Sequence, residues 1–504
     1  MATPTATVLV DSRRTTGVVD DRVYGQFLEN MGRAIYGGVF EPGSPLADAD
    51  GYRTDVLEAA RELAPPVLRW PGGNFASGYH WRDGIGPTED RPARFDLAWS
   101  MLETNRFGTE EFLAYARLLG TPAYLNLNAS TGTIDEALEW LAYCNSDLPV
   151  PEVALRQSGP HPDRHDVPIW GIGNENFGWW QHLHTSAGSY AELAREWGKL
   201  LRWADNRISL VGVGADDPDW NWTVLNEAGV VLDWLSLHFY WNELSYEGAL
   251  AGPMASEAEI CDTWGLIGAA KRRRKLNHDL RICIDEWGVW PEPYLSMTNQ
   301  PEVVNRRMRA EVGPPVHTEP VPMIEYHFDL KDALAHATWL HVIWRHPDKV
   351  SLATQAQMVN VLGPILTTTE GVVRQTTFHP LAVARRCAQG TGLDVEVITV
   401  AGIDADNAPG GGLSALDAAG TFDPDSGQMH LSLVNRLPDD ELLVDLNGIT
   451  GPAQRITLWA DDPAAANTPE NSDRVTPTED QVDIDGPLVM PPHSHVTLVF
   501  PGSQ

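Results

Sequence analysis

The stretch VPIWGIGNENFGWW, residues 167–180, begins as a buried β-strand does, with apolar, β-branched and aromatic residues. It then places Asn174 and Glu175 where the strand should end. Burying an amide and a carboxylate is costly unless something uses them. The same pattern, a short apolar run that ends in polar residues, recurs along the chain, and its repetition predicts the fold.

Eight such runs lie between about residue 23 and residue 361, and amphipathic helical stretches separate them. In the helical stretch TDVLEAARELA, for example, Val56, Leu57, Ala60 and Leu63 fall on one face. Eight βα units in succession predict a closed (β/α)8 TIM barrel. An open, doubly wound sheet is disfavoured because no Gly-rich GxGxxG follows the first strand. The eight runs are VYGQFLEN, PVLRWPGGN, PAYLNLNA, PIWGIGNEN, ISLVGVGAD, DWLSLHFYW, RICIDEWGVW and VSLATQAQMVNV.

The rhythm changes after residue 380. Short strand patterns such as GQMHLSLVNR and HSHVTLVF are separated by Gly, Pro, Asp and Asn clusters, which is typical of a β-sandwich. The N-terminal ATVLVDSRRTTGVVD also has a strand pattern and is expected to join that sandwich. The segment DADNAPGGGLSALDAAG, residues 404–420, is expected to be too flexible for the core. We therefore predict an N-terminal β segment over residues 1–20, which joins the sandwich, a (β/α)8 barrel over 21–380 and a C-terminal β-sandwich over 381–504.

Composition narrows the class of protein. A hydrophobic content of 43% and a charged content of 21% describe a globular protein. The formal net charge of -33 argues against nucleic acid or an anionic membrane as a partner. The four cysteines show no CxxC spacing, and the N-terminus lacks a signal-peptide pattern. We expect a cytoplasmic protein that acts on a neutral molecule.

Most of the predicted barrel strands carry polar residues at their C-terminal ends, where the active sites of TIM barrels lie. Among these residues are Glu175 and Glu286, on strands four and seven, which lie across the barrel mouth. A pair of carboxyl groups flanking one bond is what glycoside hydrolysis requires. The candidate site residues are Glu29, Arg69, Gly73, Asn74, Asn174, Glu175, His238, Tyr240, Glu286 and Gln357.

No metal or other cofactor is predicted. The histidines of HLH (His182 and His184) and of HPDRH (His161 and His165) lack a third ligand at the spacing of a metal site. Tryptophans close to the strand ends are candidates for stacking against a sugar ring. They are Trp99, Trp179, Trp180, Trp287 and Trp290.

At these residues the chain resembles a known family. The sequences YGQFLEN, LRWPGGNFASGYHWRDGIGP, RPARFDLAW, WGIGNEN, SLHFY, IDEWGVW and AQMVNVLGPI are similar to those of glycoside hydrolase family 51, the α-L-arabinofuranosidases. The resemblance covers the chain from about residue 6 to the end of the barrel, and the predicted sandwich fits the C-terminal domain of the family.

The resemblance implies a role for each candidate residue. Glu175 matches the acid/base of the family and Glu286 its nucleophile. Arg69 and Tyr240 match the residues that hydrogen-bond the nucleophile, with His238 beside them. Glu29, Asn74, Asn174 and Gln357 match the residues that hold the furanose hydroxyls, and Gly73 lies in the same block. We expect partial burial and the nearby Glu286 to raise the pKa of Glu175.

The implied activity is retaining exo-hydrolysis of terminal α-L-arabinofuranosyl residues from arabino- and arabinoxylo-oligosaccharides. Gly288, Phe177 and Phe239 depart from the common family pattern and are expected to alter the pocket wall. Alternatives with the same mechanism are a β-D-xylosidase, a β-D-galactofuranosidase and an endo-β-glucanase. A non-catalytic carbohydrate-binding barrel is disfavoured because both glutamates are present. The resemblance also implies a homo-oligomer, commonly a hexamer.

Overall fold

The computed structural model describes residues 3–242, 245–290, 308–309, 316–408 and 410–502. The strands of these residues, in chain order, are β1 (Thr5–Val18), β2 (Gly25–Phe27), β3 (Leu68–Trp70), β4 (Arg94–Asp96), β5 (Met101–Glu103), β6 (Ala123–Leu127), β7 (Ile169–Ile172), β8 (Ser209–Val213), β9 (Trp234–Trp241), β10 (Arg281–Val289), β11 (Val350–Gln355), β12 (Ile365–Thr367), β13 (Val372–Arg374), β14 (Thr391–Thr399), β15 (Gly402–Asp404), β16 (Gly412–Ser414), β17 (Leu416–Phe422), β18 (Met429–Asn435), β19 (Leu442–Asp445), β20 (Gly451–Leu458), β21 (Thr478–Ile484), β22 (Leu488–Met490) and β23 (Ser494–Phe500).

Helices alternate with the strands of the first three quarters of the chain. Their apolar faces follow the predicted spacing: Val56, Leu57, Ala60 and Leu63 of the first helix are all buried. The helices are α1 (Thr54–Leu63), α2 (Thr109–Leu119), α3 (Ile134–Asn145), α4 (Pro151–Gln157), α5 (Ala187–Ala204), α6 (Pro218–Ala228), α7 (Tyr246–Arg274), α8 (Leu330–Arg345) and α9 (Phe378–Cys387), with 3₁₀ turns at Asp21–Tyr24, Asn74–Gly78 and Trp81–Gly84. Among the described helices, none is long and apolar enough to cross a membrane.

Eight parallel strands close into a barrel in the order β2-β3-β6-β7-β8-β9-β10-β11, and β11 pairs with β2. Each of the eight predicted strand runs contributes one of them, so the predicted TIM barrel is confirmed. Residues near the N-terminal ends of the strands form one buried cluster. The polar residues lie at the opposite, C-terminal ends of the strands. The members of the apolar cluster are Val67, Tyr124, Ile169, Val211, Trp234, Cys283 and Leu352.

Eight strands of the C-terminal part and the N-terminal strand β1 form a nine-stranded sheet in the order β21-β20-β23-β18-β17-β14-β1-β19-β22, and β15 and β16 form a separate two-stranded sheet. Strand β1 pairs antiparallel with β14 and parallel with β19, so the predicted joining of the N-terminal strand to this sheet is confirmed. Val8, Leu431 and Met490 lie in strands that are far apart in this order but share one apolar core. The sheet therefore folds over on itself as a sandwich does.

The prediction that residues 404–420 are too flexible for the core is wrong for their C-terminal part. Strand β17 starts at Leu416 and pairs with β18 over its whole length. Its residues Ala418 and Ala419 are buried. The small side chains of this strand allow β17 to lie against helix α8, a contact that no local sequence pattern reveals.

The barrel and the sheet share a buried apolar cluster. Leu250, Leu330 and Leu334 from helices α7 and α8 pack with Val434 and Leu458 from strands β18 and β20. The two parts of the molecule therefore bury apolar surface against each other, which favours their unfolding together. The predicted domain boundary after residue 380 lies within helix α9, and the division of the chain into domains stays a prediction.

Candidate active site

The candidate nucleophile Glu286 lies near the C-terminal end of strand β10. Arg69 Nη1 donates to its Oε1 over 2.9 Å, and the Tyr240 hydroxyl donates to its Oε2 over 2.8 Å. The pairing of β10 with β9 shifts register between Cys283 and Glu286. Such an irregularity interrupts the alternation of side chains along a strand, and here both Asp285 and Glu286 lie against Arg69. Both of the residues that were predicted to hold Glu286 contact it.

Glu175 follows strand β7 in a left-handed backbone conformation, with φ of 46°. Its Oε1 lies 2.9 Å from Nδ1 of His238, and its Oε2 accepts a hydrogen bond of 2.5 Å from Trp180 Nε1. One carboxylate oxygen of Glu175 and one of Glu286 lie within 4.8 Å of each other. The two glutamates that the sequence singles out are therefore close enough to act on one bond.

The pKa of Glu175 is not raised, contrary to the expectation from sequence. Burial acts to raise it, but the hydrogen bond and charge of His238 and the hydrogen bond of Trp180 outweigh burial and lower the pKa below its ordinary value. Burial would lower the pKa of His238, yet the charge of Glu286 and the hydrogen bonds with Asp285 and Glu175 raise it to about 10. The sequence could not show that His238 would lie between the two carboxylates.

Glu29 and Gln357 lie on the side of the site formed by strands β2 and β11. Gln357 Oε1 accepts a hydrogen bond of 2.9 Å from the Glu29 backbone N–H. Glu29 Oε1 accepts hydrogen bonds of 2.9 Å from the Phe75 backbone N–H and from Trp99 Nε1. Burial and the charge of Glu286 raise the pKa of Glu29 to about 8. This side of the site therefore offers both a donor and an acceptor to a hydroxylated ligand.

The candidate residues Asn74 and Asn174 lie next to each other. Arg69 Nη2 donates to Asn174 Oδ1 over 2.7 Å, and Asn174 Nδ2 lies 3.5 Å from Asn74 Oδ1. Gln181 Nε2 also donates to Asn74 Oδ1. Gly73 precedes Asn74, and a Cβ atom there would lie 2.9 Å from Glu29 Oε2 and 3.1 Å from Glu286 Oε1. All ten candidate residues are thus gathered at one end of the barrel.

The five tryptophans predicted to stack against sugars differ in their surroundings. Trp179 packs edge to face on Trp180 at 6.0 Å. The indole N–H groups of Trp99 and Trp180 contact the site carboxylates Glu29 and Glu175. Trp290 packs edge to face on Tyr240 at 5.3 Å. Trp287 is buried in the core against Trp339 and presents no face to a ligand.

One of the three departures from the family pattern lies elsewhere than expected. Phe239 is buried and packs on Trp339 of helix α8, so it belongs to the core outside the barrel and not to the pocket wall. The side chain of Phe177 packs on Trp220 and Trp180. A Cβ atom on Gly288 would lie 3.2 Å from the carbonyl oxygen of Ala356.

Sequence reasoning gave no role to two residues that the structure brings into contact with the site. Gln181 bridges Asn74 and Ser77. Asp285 is buried beneath Glu286 and contacts Arg69 and His238. The only sequence signal was the position of Asp285 at a strand end, because Gln181 lies in an irregular loop after strand β7.

Glu175, His238 and Glu286 also offer one metal-ligand-type atom each within 4.8 Å of one another. Two ligands about 2.1 Å from one tetrahedral ion lie roughly 3.4 Å apart. The 2.9 Å separation of His238 Nδ1 and Glu175 Oε1 is instead that of a direct hydrogen bond. The chemistry that this donor set favours is proton transfer between neighbouring groups.

Comparison with known proteins gives the same assignment. The family profile described as "Alpha-L-arabinofuranosidase 1 domain" matches residues 59–251, and that described as "Alpha-L-arabinofuranosidase C-terminal domain" matches residues 285–494. The chain is 35% identical to alpha-L-arabinofuranosidase C of Emericella nidulans, over 96% of this chain and 95% of that protein. It is 37% identical to an intracellular exo-α-(1→5)-L-arabinofuranosidase of Streptomyces lividans, over 78% of this chain and 59% of that protein.

A solved structure supports the fold as well as the family. The crystal structure of the alpha-L-arabinofuranosidase from Thermotoga maritima in its arabinose complex superposes with a TM-score of 0.87 and 34% identity, over 99% of this chain and 100% of that chain. Glutamates at the ends of barrel strands, relatives that match nearly the whole chain and a shared two-part architecture all agree. The chain belongs to the α-L-arabinofuranosidases of glycoside hydrolase family 51.

Proposed function

We propose that this enzyme removes terminal α-L-arabinofuranosyl residues from arabino- and arabinoxylo-oligosaccharides by a retaining double displacement. The observation that carries the mechanism is the short distance between Glu175 and Glu286. One carboxylate oxygen of Glu175 lies within 4.8 Å of one of Glu286. Retaining enzymes hold the two carboxyl groups ~5 to 5.5 Å apart, whereas inverting enzymes leave ~6.5 to 9.5 Å for a water molecule. The exo preference is supported by the name of the Streptomyces lividans relative.

Glu286 is the proposed nucleophile. Hydrogen bonds from Arg69 and Tyr240 occupy one lone pair on each of its oxygens, which fixes the carboxylate for attack. Attack on the anomeric carbon breaks the glycosidic bond, and Glu175 protonates the departing oxygen. Water activated by Glu175 then hydrolyses the glycosyl-enzyme from the same face, so configuration is retained.

The sugar is proposed to lie between the two glutamates and the polar side formed by Glu29, Asn74, Asn174 and Gln357. A panel of nitrophenyl furanosides and pyranosides tests this specificity, with α-L-arabinofuranoside expected to give the highest kcat/KM. A higher kcat/KM for a β-D-xyloside, a β-D-galactofuranoside or a glucan would replace the proposed sugar and leave the mechanism intact. Proton NMR of the first-formed sugar should show the α anomer.

The roles of the glutamates are tested with two alanine variants. Glu286→Ala should be inactive on every substrate because no glycosyl-enzyme forms. Glu175→Ala should lose ~10²- to 10⁴-fold on natural substrates but should still cleave nitrophenyl substrates, whose leaving group needs little protonation. Azide should restore turnover of Glu175→Ala and yield a product of retained configuration. Azide rescue of Glu286→Ala with inversion would reverse the assignment, and the exposed Glu370→Ala serves as the control.

We further propose that the enzyme works in the cytoplasm as a homo-oligomer. The printed name of the Streptomyces lividans relative supports an intracellular location, and the resemblance to family 51 supports a hexamer. Sedimentation velocity at micromolar concentration should give a species several times the mass of 55.5 kDa. A single monomeric boundary at all concentrations would remove the oligomer from the proposal.

A further inference from the structure

Asp285 is a buried carboxylate for which the double displacement has no use. The residue is 2% exposed, and its side chain contacts Arg69 as that of Glu286 does. The Tyr124 hydroxyl donates to Oδ2 over 2.7 Å, and the Ser236 hydroxyl donates to Oδ1. Arg69 Nε lies 3.5 Å from Oδ2. A carboxyl group surrounded by donors and a guanidinium is ionised and acts only as an acceptor.

His238 lies between Asp285 and the two catalytic glutamates. Its Nε2 is 3.2 Å from Asp285 Oδ1, and its Nδ1 is 2.9 Å from Glu175 Oε1. Because ionised Asp285 can only accept, Nε2 of His238 must carry a proton. The protonation of Nδ1 then decides whether the ring is neutral or an imidazolium.

The contacts of Glu175 restrict where its acidic proton can lie. An indole N–H is only a donor, and Trp180 Nε1 donates to Glu175 Oε2 over 2.5 Å. Nδ1 of His238 and Oε1 of Glu175 are at hydrogen-bond distance, 2.9 Å, so the proton that the pair shares lies between these two atoms. In that hydrogen bond, a proton on Nδ1 makes the imidazolium, and a proton on Oε1 makes the carboxylic acid.

The charges around His238 favour the imidazolium. Glu175 and Glu286 face Nδ1, the latter with Oε2 at 3.6 Å, and Asp285 faces Nε2. The other ionisable groups that the structure places around the site include Arg69, Tyr124, Tyr240 and Glu29, and of these four Arg69 is the cation. Two carboxylates face one ring nitrogen and a third faces the other, so together they attract a proton to the ring. Arg69 repels that proton less strongly, because its charge is bound to Asp285 and Glu286.

We propose that the free enzyme stores on His238 the proton that Glu175 delivers to the leaving oxygen, and that Asp285 is the positioning residue that fixes this proton. The proposal rests on the proposed function, because it presupposes Glu175 as the acid/base. The raised pKa of His238 and the lowered pKa of Glu175 agree with it. Sequence reasoning assigned no role to Asp285.

The proton moves in a closed cycle. In the first step the Nδ1–H bond breaks, the proton passes through the Glu175 carboxylate to the glycosidic oxygen, and that oxygen keeps the electron pair of the broken C–O bond. Glu286 forms the new bond to the anomeric carbon. In the second step water attacks that carbon, Glu286 leaves as a carboxylate, and the proton of water returns through Glu175 to Nδ1. Asp285 stays ionised throughout.

The location of the proton is tested on the unmodified enzyme. With ¹⁵N-labelled histidine, the signals that disappear in His238→Gln identify the ring. At neutral pH both nitrogens of His238 should show the shifts of an imidazolium. A single protonated nitrogen, the pattern of a neutral ring, would overturn the proposal whether or not any variant folds.

The role of Asp285 is tested with a pH profile. The alkaline limb of kcat/KM reports loss of the shared proton. Asp285→Asn removes the negative charge that faces Nε2 of His238. The apparent pKa that defines the alkaline limb should therefore fall by about one unit or more. Tyr124→Phe removes a hydrogen bond to Asp285 but keeps its charge, so it should shift the limb much less. Equal shifts in the two variants, or none in Asp285→Asn, would show that Asp285 has only a structural role.

The failure of this proposal is distinguishable from failure of the proposed function. A neutral His238 together with normal azide rescue of Glu175→Ala would overturn the proton store and leave the two glutamates in their roles. An imidazolium at His238 together with azide rescue of Glu286→Ala would instead overturn the assignment of Glu175 as acid/base, and with it the proton store.

Discussion

Gly73 shows how little room the site leaves at a single residue. A Cβ atom there would lie 2.9 Å from Glu29 Oε2 and 3.1 Å from Glu286 Oε1, so both carboxylates would have to move. Displacing a catalytic group by about 1 Å can cost about 10²-fold in rate. We expect Gly73→Ala to lower kcat/KM by about that factor while the protein stays folded.

The control for Gly73→Ala is Gly188→Ala, in helix α5, where an added Cβ meets no atom within 4 Å. That variant should keep full activity and gain slightly in stability, because Ala favours a helix over Gly. Activity assays and urea unfolding of both variants make the comparison. An active Gly73→Ala would mean that the two carboxylates tolerate displacement.

At the scale of elements, the hairpin of β4 and β5 holds Trp99 over the site. Asp96 accepts hydrogen bonds from the backbone N–H groups of Ala98 and Trp99 over 2.9 and 3.0 Å. The Trp99 indole then reaches Glu29. The turn between the two strands is therefore anchored by one buried carboxylate, and the position of the tryptophan depends on it.

Asp96→Asn should loosen this turn. The two carboxylate oxygens of Asp96 accept one backbone hydrogen bond each, whereas the NH2 group that replaces one of them in Asn can only donate. If Trp99 and Glu29 contact the sugar equally in the ground and transition states, KM should rise about tenfold with little change in kcat. The exposed Asp90→Asn, in the preceding loop, is the control and should leave both constants unchanged. A fall in kcat without a rise in KM would show that the turn acts on catalysis and not on binding.

At the scale of the whole molecule, buried histidines lie between helix α8 and the sheet. His341 Nδ1 lies 2.7 Å from Asp417 Oδ2 and its Nε2 2.7 Å from the Ser432 hydroxyl oxygen, which is also 2.7 Å from His495 Nε2. His430 is buried beside Trp344, and its ring nitrogens have no hydrogen-bond partner among the described residues. Burial lowers the pKa of His430 and of His495 to about 3.

These histidines should make the fold sensitive to acid. Between their ordinary pKa of about 6.5 and the folded value of about 3, the unfolded chain binds a proton that the folded chain does not. Stability is therefore present above pH 6.5 and is lost as the pH falls toward 3, by about 1.4 kcal/mol per pH unit for each such histidine. His430→Leu should reduce the slope of the unfolding free energy against pH by the contribution of one proton, about 1.4 kcal/mol per pH unit.

Urea unfolding at several pH values between 4 and 6 measures the slope. His184→Leu, which removes an exposed histidine, should leave the slope as in the unmodified protein. The contrary result is the same slope for His430→Leu and the control. That result would mean that His430 is protonated in the folded state, or that the barrel and the sheet separate before the histidine titrates.

The sequence by itself determined the elements and the ends at which chemistry occurs. Short apolar runs and period-3.6 patterns depend only on residues that are close together in the chain, so all eight barrel strands and helices such as α1 were predictable. Glu175 and Glu286 were predictable as a pair because parallel strands in a barrel carry their C-terminal ends to one face. The added resemblance to family 51 implied which of the two was the nucleophile.

Only the tertiary structure decided what those side chains touch. His238 between Asp285 and Glu175, Trp180 on Glu175 and Gln181 on Asn74 are contacts between residues on different strands and loops, set by barrel closure and by the shift of register in strand β10. The pKa of Glu175 is lowered for the same reason. Burial alone would raise the pKa of Glu175, and the hydrogen bonds that reverse the shift exist only once the chain has closed around the site.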